Sequence, residues 1–200
     1  MRMRSIALMT TLALAAAGPA LASAPGTAAP DFTIVDTAGK PVKLADYRGK
    51  FVVLEWTNPE CPFVRKHYDS GNMQSLQKEW GGKGVVWLAI NSTRSGHSEF
   101  KTGPEMAGWM RAQDAAPAAT LIDGTTATGR AYGARTTPHM FVVDPAGTLI
   151  YNGAIDDRRS ANPADAKVAN NYVRAALTQA TAGKPVAVAN TVPYGCSVKY

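Results

Sequence analysis

Two thiols, Cys61 and Cys196, are the side chains of this chain best suited to redox chemistry. Cys61 lies in the stretch WTNPECPFVRKHY, between an apolar run, Phe51 to Trp56, and a segment with helical pattern. A thiol reacts as its thiolate, and a helix N-terminus with cations nearby favours that form. Cys61 falls at the expected N-cap or first turn, with Pro62 suited to the first helical position. Arg65, four residues on, shares its helical face and is the expected tuner of the thiol. Lys66 and His67 add positive charge, and Glu60 opposes it. A second cysteine three residues on would complete a dithiol centre, but Val64 stands there. Cys61 is therefore a catalytic thiol, a half-cystine or a small buried residue, and its own neighbourhood does not choose.

Cys196 lies in VPYGCSVKY, beside Gly195, which tolerates unusual backbone and close approach. The segment belongs to a Pro/Val-rich tail, residues 183–200, of the kind expected to be mobile. Such a tail could bring Cys196 to Cys61 as a resolving thiol in a two-step exchange. It could equally hold a permanent bridge, stabilising the fold by about 4–5 kcal/mol in the chain-entropy model, or pair with another molecule. Cys61, His67 and His139 offer ligands for a metal such as copper. A lone histidine in a strand is more often a hydrogen-bonded structural residue, so neither a metal nor an organic cofactor is expected.

The compartment bears on this choice. Arg2 and Arg4 precede an uncharged run, Ile6 to Ala17, then Gly18-Pro19 and the small-residue pattern Ala20-Leu21-Ala22. That order is expected of a secretory signal peptide over residues 1–24, and it implies a periplasmic or secreted protein. In an oxidising space two cysteines favour pairing. The formal charge of +6 loses Arg2 and Arg4 with the leader, and the remaining excess is scattered without aromatic interleaving. Nucleic acid is a poor match, and no later stretch is long enough to span a bilayer.

The elements that must position the thiols follow from pattern. Phe32 and Ile34 alternate against Val42 and Leu44 around the turn Asp36 to Lys40, a hairpin. Phe51–Trp56 and Val85–Ile90 are near-continuously apolar, as in strands covered on both faces. Helices are expected from Pro62 to about Tyr68, Asn72 to Trp80, Glu105 to Gln113 and Thr126 to Tyr132, and an amphipathic one from Ala164 to Ala180. Short strands are expected at Ala119–Ile122, Met140–Val143 and Leu149–Tyr151. Strands alternating with helices over residues 25–182 describe one α/β, three-layer domain. Asp156-Asp157-Arg158-Arg159 is expected to be a solvated, self-compensating loop, and Trp56, Trp80, Trp87 and Trp109 core or rim aromatics.

Three segments together resemble the thioredoxin-like superfamily, in its redoxin or peroxiredoxin-like branch (alkyl hydroperoxide reductase and thiol-specific antioxidant proteins). They are APDFTIVDTAGKPVKLADYRGKFVVLEW at residues 29–56, Cys61 at the strand-to-helix turn, and RTTPHMFVVDPAGTLIYNGAID at residues 135–156. The resemblance implies a cis Pro138 packed against the active-site sulfur, and a Thr137 backbone that offers itself to an extended substrate. It also implies thiol-disulfide or antioxidant chemistry, with a protein or small-molecule disulfide or peroxide as substrate and a redox protein as partner. Two departures stand out: Val64 replaces the second cysteine, and Asn58 occupies the place where peroxiredoxins carry Thr or Ser. The rival expectation is a non-catalytic binding protein on the same scaffold, metal handling being one option, stapled by a fixed Cys61–Cys196 disulfide.

Overall fold

A computed structural model describes residues 23–200. The leader expected over residues 1–24 therefore lies almost wholly outside the described part. The near-continuous apolar runs become the central strands of a seven-stranded sheet, β3 (Val52–Trp56) and β4 (Val86–Asn91), which pair in parallel. Beyond β4 lie β5 (Ala119–Ile122) and the hairpin of β1 (Thr33–Asp36) and β2 (Pro41–Lys43). On the other side of β3 lie β7 (His139–Val143), antiparallel to β3, and β8 (Leu149–Gly153), antiparallel to β7. The order is β2-β1-β5-β4-β3-β7-β8.

Side chains alternate across each strand, so the sheet has two cores. Val53, Trp87, Ala89, Met140 and Val142 face α1 (Pro62–Asp69), α2 (Asn72–Gly81), α3 (Gly103–Ala112) and α6 (Tyr172–Thr181). Leu54, Trp56, Leu88, Ile90 and Phe141 face the layer that includes α4 (Ala127–Tyr132). Trp56, Trp80 and Trp87 are buried and Trp109 packs at the rim, as expected. Among the described residues no helix is long and apolar enough to cross a membrane.

Two expectations about elements are corrected. The single helix from Ala164 to Ala180 is broken into α5 (Pro163–Ala166) and α6, and Val168, placed on its buried stripe, is 68% exposed. The break has local causes. Asn171 caps α6 by accepting from the Arg174 N–H, and Asn170 is tied to Asp157 by three hydrogen bonds. Side chains of this type compete with helical backbone bonds and favour caps.

The tail is the second correction. Instead of a free segment it is bonded to the domain at successive positions. Asn152 N–H donates to Ala189 O, Thr191 Oγ1 accepts from the Ala154 N–H, Val198 N–H donates to Arg135 O, and Arg94 N–H donates to Lys199 O. Between these ties, β9 (Cys196–Ser197) pairs antiparallel with β6 (Thr136–Thr137) in a separate two-stranded sheet.

Candidate active site

Cys61 is the N-cap of α1, directly after the loop that leaves β3. That loop is fixed by Asn58, whose Oδ1 accepts from the Glu60 N–H while its carbonyl accepts from the Cys61 N–H. Pro62 occupies the start of the helix as expected. The Cys61 thiol donates to the Thr137 carbonyl at 3.0 Å, and the Thr137–Pro138 peptide is cis.

The tail meets this pair of elements in register. Cys196 is the strand partner of Thr137, the same residue whose carbonyl accepts the Cys61 hydrogen bond. Cys196 packs against the core cluster that contains Cys61, near enough for Cys61 to perturb its ionisation. The preceding residue, Gly195 (φ +137°), lies so close to Thr137 that a Cβ would stand 2.0 Å from its carbonyl oxygen. Only glycine lets the strand approach this closely. The structure thus brings together Cys61, Cys196, Thr137 and Pro138, four of the five residues singled out from sequence.

Their exposure differs. Cys61 is 1% exposed, sealed beneath the tail, whereas Cys196 is only partly covered. Burial pushes the Cys196 thiol up to about 12, and the hydrogen bond with Cys61 and the charge of a Cys61 thiolate add to the effect. The backbone edge of Thr137, expected to receive a substrate strand, is occupied by the chain's own β9.

The charged groups expected around the thiol each have partners of their own. Arg65 turns to the loop, donating to Pro59 O at 2.7 Å and pairing with Glu60 at 3.3 Å, with its side chain about half exposed. Lys66 and His67 are both buried against Asp156. Desolvation and the Lys66 charge push His67 down to about 3, so its ring is neutral. Asp156, placed from sequence in a solvated loop, is 2% exposed. Its compensation comes from Lys66 rather than from Arg158 or Arg159.

The histidines considered as metal ligands are likewise occupied. His139 Nδ1 accepts from the Arg135 N–H and Nε2 donates to Asn152 Oδ1 at 2.8 Å, while desolvation pushes the ring down to about 4. His67 Nδ1 accepts from Asn72. Among the described residues no three His, Cys, Asp or Glu side chains gather into a metal site.

Glu55 is a buried charge-bearing group hidden in the apolar run. It projects from β3 toward α1 and α2 and accepts from Trp87 Nε1 (2.8 Å), Tyr68 Oη (2.9 Å) and Gln77 Nε2 (3.2 Å). Desolvation raises its pKa, and the three donors oppose that rise. Its one sequence signal is an acid inside a strand that is otherwise apolar. A cavity of about 600 Å³ runs along β8 between Phe51, Ile150 and Val186 and contains neither thiol.

A parallel β3–β4 core, a helix capped by a cysteine and a cis-proline strand beside that sulfur define a thioredoxin-like protein. Residues 25–152 match the model of the AhpC/TSA family, and the chain belongs to that family. Among solved structures it is similar to an uncharacterized conserved protein from Geobacillus kaustophilus, at 27% identity and TM-score 0.78, over 89% of this chain and 93% of that one. A hypothetical protein from Sinorhizobium meliloti 1021 is similar at 26% identity and TM-score 0.75, over 88% and 94%. The Chlorobium tepidum structure titled "putative Thiol:disulfide interchange protein DsbE" matches at 27% identity and TM-score 0.53, over 64% and 83%. The search of curated proteins returned no match.

Proposed function

We propose that the protein is an exported thiol-disulfide oxidoreductase whose redox centre is the Cys61–Cys196 pair, cycling between dithiol and disulfide. The convergence of both cysteines on Thr137, one by its thiol and one by strand pairing, carries this reading. Membership of the redoxin family and the thiol:disulfide interchange title of one relative support it. Cys196 supplies from the tail the sulfur that Val64 cannot supply from the helix.

The difference in exposure sets the order of the steps. In the oxidised pair, the thiolate of an external dithiol attacks the accessible Cys196 sulfur. The bond to Cys61 breaks, and Cys61 leaves as thiolate at the helix start, where the dipole favours it. The second thiol of the dithiol then attacks its own sulfur in the mixed disulfide and releases Cys196; Cys196 and the Cys61 thiolate each take a proton, and the Cys61 thiol again donates its hydrogen bond to Thr137 O. Two electrons and two protons have passed to the protein, and the external dithiol has become a disulfide. In the reverse direction Cys61 is the nucleophile, closing on the Cys196 sulfur of the mixed disulfide. This reverses the order expected from sequence, in which Cys61 met the substrate first. Disulfide exchange fits this buried centre better than peroxide reduction, since Cys61 is sealed and its thiol faces a carbonyl.

Export rests on the order of charged, apolar and small residues before Ser23; intact mass of the exported protein is expected to lack residues 1–22, and a mass retaining them overturns it. Trapping tests the centre. Cys61→Ser incubated with glutathione disulfide should carry glutathione on Cys196, with Cys196→Ser labelled at least about tenfold more slowly, because Cys61 stays covered. Both variants should lose turnover in dithiol oxidation. Full turnover in either variant overturns the reading, and a wild-type bridge that resists millimolar dithiol leaves the fixed staple instead.

A further inference from the structure

Lys66 is the most unusual side chain outside the thiol pair. It sits on α1 five residues after Cys61, and its ammonium is wholly buried. Nζ donates to Arg158 O (2.5 Å), Tyr194 Oη (3.0 Å) and Asp156 Oδ2 (3.3 Å), which uses all three of its protons. Asp156 in turn accepts from the Tyr194 hydroxyl in a short bond and from the Arg158 N–H at 2.9 Å. His67 closes the far side, with Nε2 at 3.5 Å from Tyr194 Oη. The Tyr194 ring packs edge-on against Phe63 at 5.9 Å between centroids.

A buried ion pair of this kind contributes little net stability compared with apolar residues of similar volume, because desolvation offsets the attraction. Its attested use is to fix one arrangement among several. Here the arrangement joins three segments: the helix that bears Cys61, the chain after β8, and the tail two residues before Cys196. Below Tyr194 the tail has only a two-residue strand pairing at the site, which is marginal by itself. Hydrogen bonds at Lys199, Val198 and Tyr200 hold the far end. Tyr194 is the tie on the near end, within reach of the sulfur.

We propose that Lys66, Asp156 and Tyr194 form a positioning latch that holds Cys196 in register with Cys61 while both thiols are free, and so sets the equilibrium of their bond. The inference rests on the dithiol reading above. With the latch intact, the reduced tail is already ordered and closing the bond costs little further entropy. With the latch opened, the reduced tail gains freedom that the disulfide must remove again, so the dithiol is favoured.

Tyr194→Phe keeps the ring and its contact with Phe63 and removes the hydroxyl shared by Asp156 and Lys66. Equilibration of the full-length protein in glutathione redox buffers reads the Cys61–Cys196 equilibrium constant, which should fall about tenfold or more. In a Cys61→Ser chain, the same substitution should speed iodoacetamide labelling of Cys196 by a comparable factor. Phe63→Leu, which withdraws only the ring beside Tyr194, is the milder variant and should lower the constant less. A purely structural role predicts equal loss of stability in both redox forms, with the constant unchanged within about twofold; that result overturns the latch. A wild-type protein that forms no reversible bond in these buffers fails the dithiol reading instead, so the two failures are distinct.

Discussion

The two sulfurs of this site differ in what surrounds them. Cys61 caps a helix and donates a hydrogen bond to the Thr137 carbonyl, and Cys196 lies on the strand paired with Thr137. Burial, the Cys61 contact and Glu99 all disfavour charge on Cys196, and Lys199 opposes them too weakly to prevail. Reduced Cys196 is therefore protonated through the neutral range, and its reactivity must climb with pH as the thiolate fraction climbs. In Cys61→Ser, where Cys196 is the only thiol, the partner's contribution is gone but desolvation, the largest cause, remains. Iodoacetamide labelling of that variant is expected to rise about tenfold per pH unit from pH 7 past pH 9 without levelling, since an unperturbed thiol would level near 8.5. A plateau at or below pH 8.5 contradicts the assigned environment.

At the scale of elements, sequence and structure agree where periodicity is strong and part where single side chains decide. The hairpin turn at Asp36 to Lys40, the strands around Phe51–Trp56 and Val85–Ile90, and the helix pair separated near Ser70-Gly71 are all present within a residue or two. Their patterns repeat over several residues, so local preference and burial point the same way. The break between α5 and α6 was hidden because Val168 fits the apolar stripe, while the competing signal is two consecutive asparagines. The tail was harder. Its order comes from contacts far away in sequence, such as Tyr194 with Lys66 and Tyr200 with Ala134, and no local period encodes such ties. Gly195 carried a legible hint, since a glycine before a cysteine permits close approach, but the carbonyl it approaches belongs to a distant strand. Likewise Lys66 and His67 read as surface charge beside Cys61. Only the fold shows that their side chains point away from the thiol and into a buried cluster with Asp156.

Across the whole molecule, the two buried histidines make stability depend on pH in a direction that can be worked out. His67 is held down to about 3 and His139 to about 4, against an ordinary value of 6.5. As pH falls below 6.5 the unfolded chain takes up a proton at each, while the folded protein does not until those lower values. Stability contributed by the neutral rings is thus present above 6.5 and lost as pH falls toward 4, at up to about 1.4 kcal/mol per pH unit for each histidine. Glu55 acts in the opposite sense. Its raised pKa lets the folded state hold a proton that the unfolded state releases above about 4.5, which partly masks the histidine slope. The separation comes from comparing variants rather than from one profile. His139→Gln offers the Arg135 N–H an acceptor and Asn152 a donor but cannot titrate. Its unfolding free energy, measured by urea between pH 6.5 and 4.5, should fall with a slope smaller than wild type by up to about 1.4 kcal/mol per unit, whatever its offset in stability. His67→Gln should reduce the slope again, and the two reductions should add, because the rings share no hydrogen-bond partner. Equal slopes in wild type and His139→Gln would mean that the folded protein takes up the proton at an ordinary pKa, and the neutral His139–Asn152 pairing would have to be abandoned.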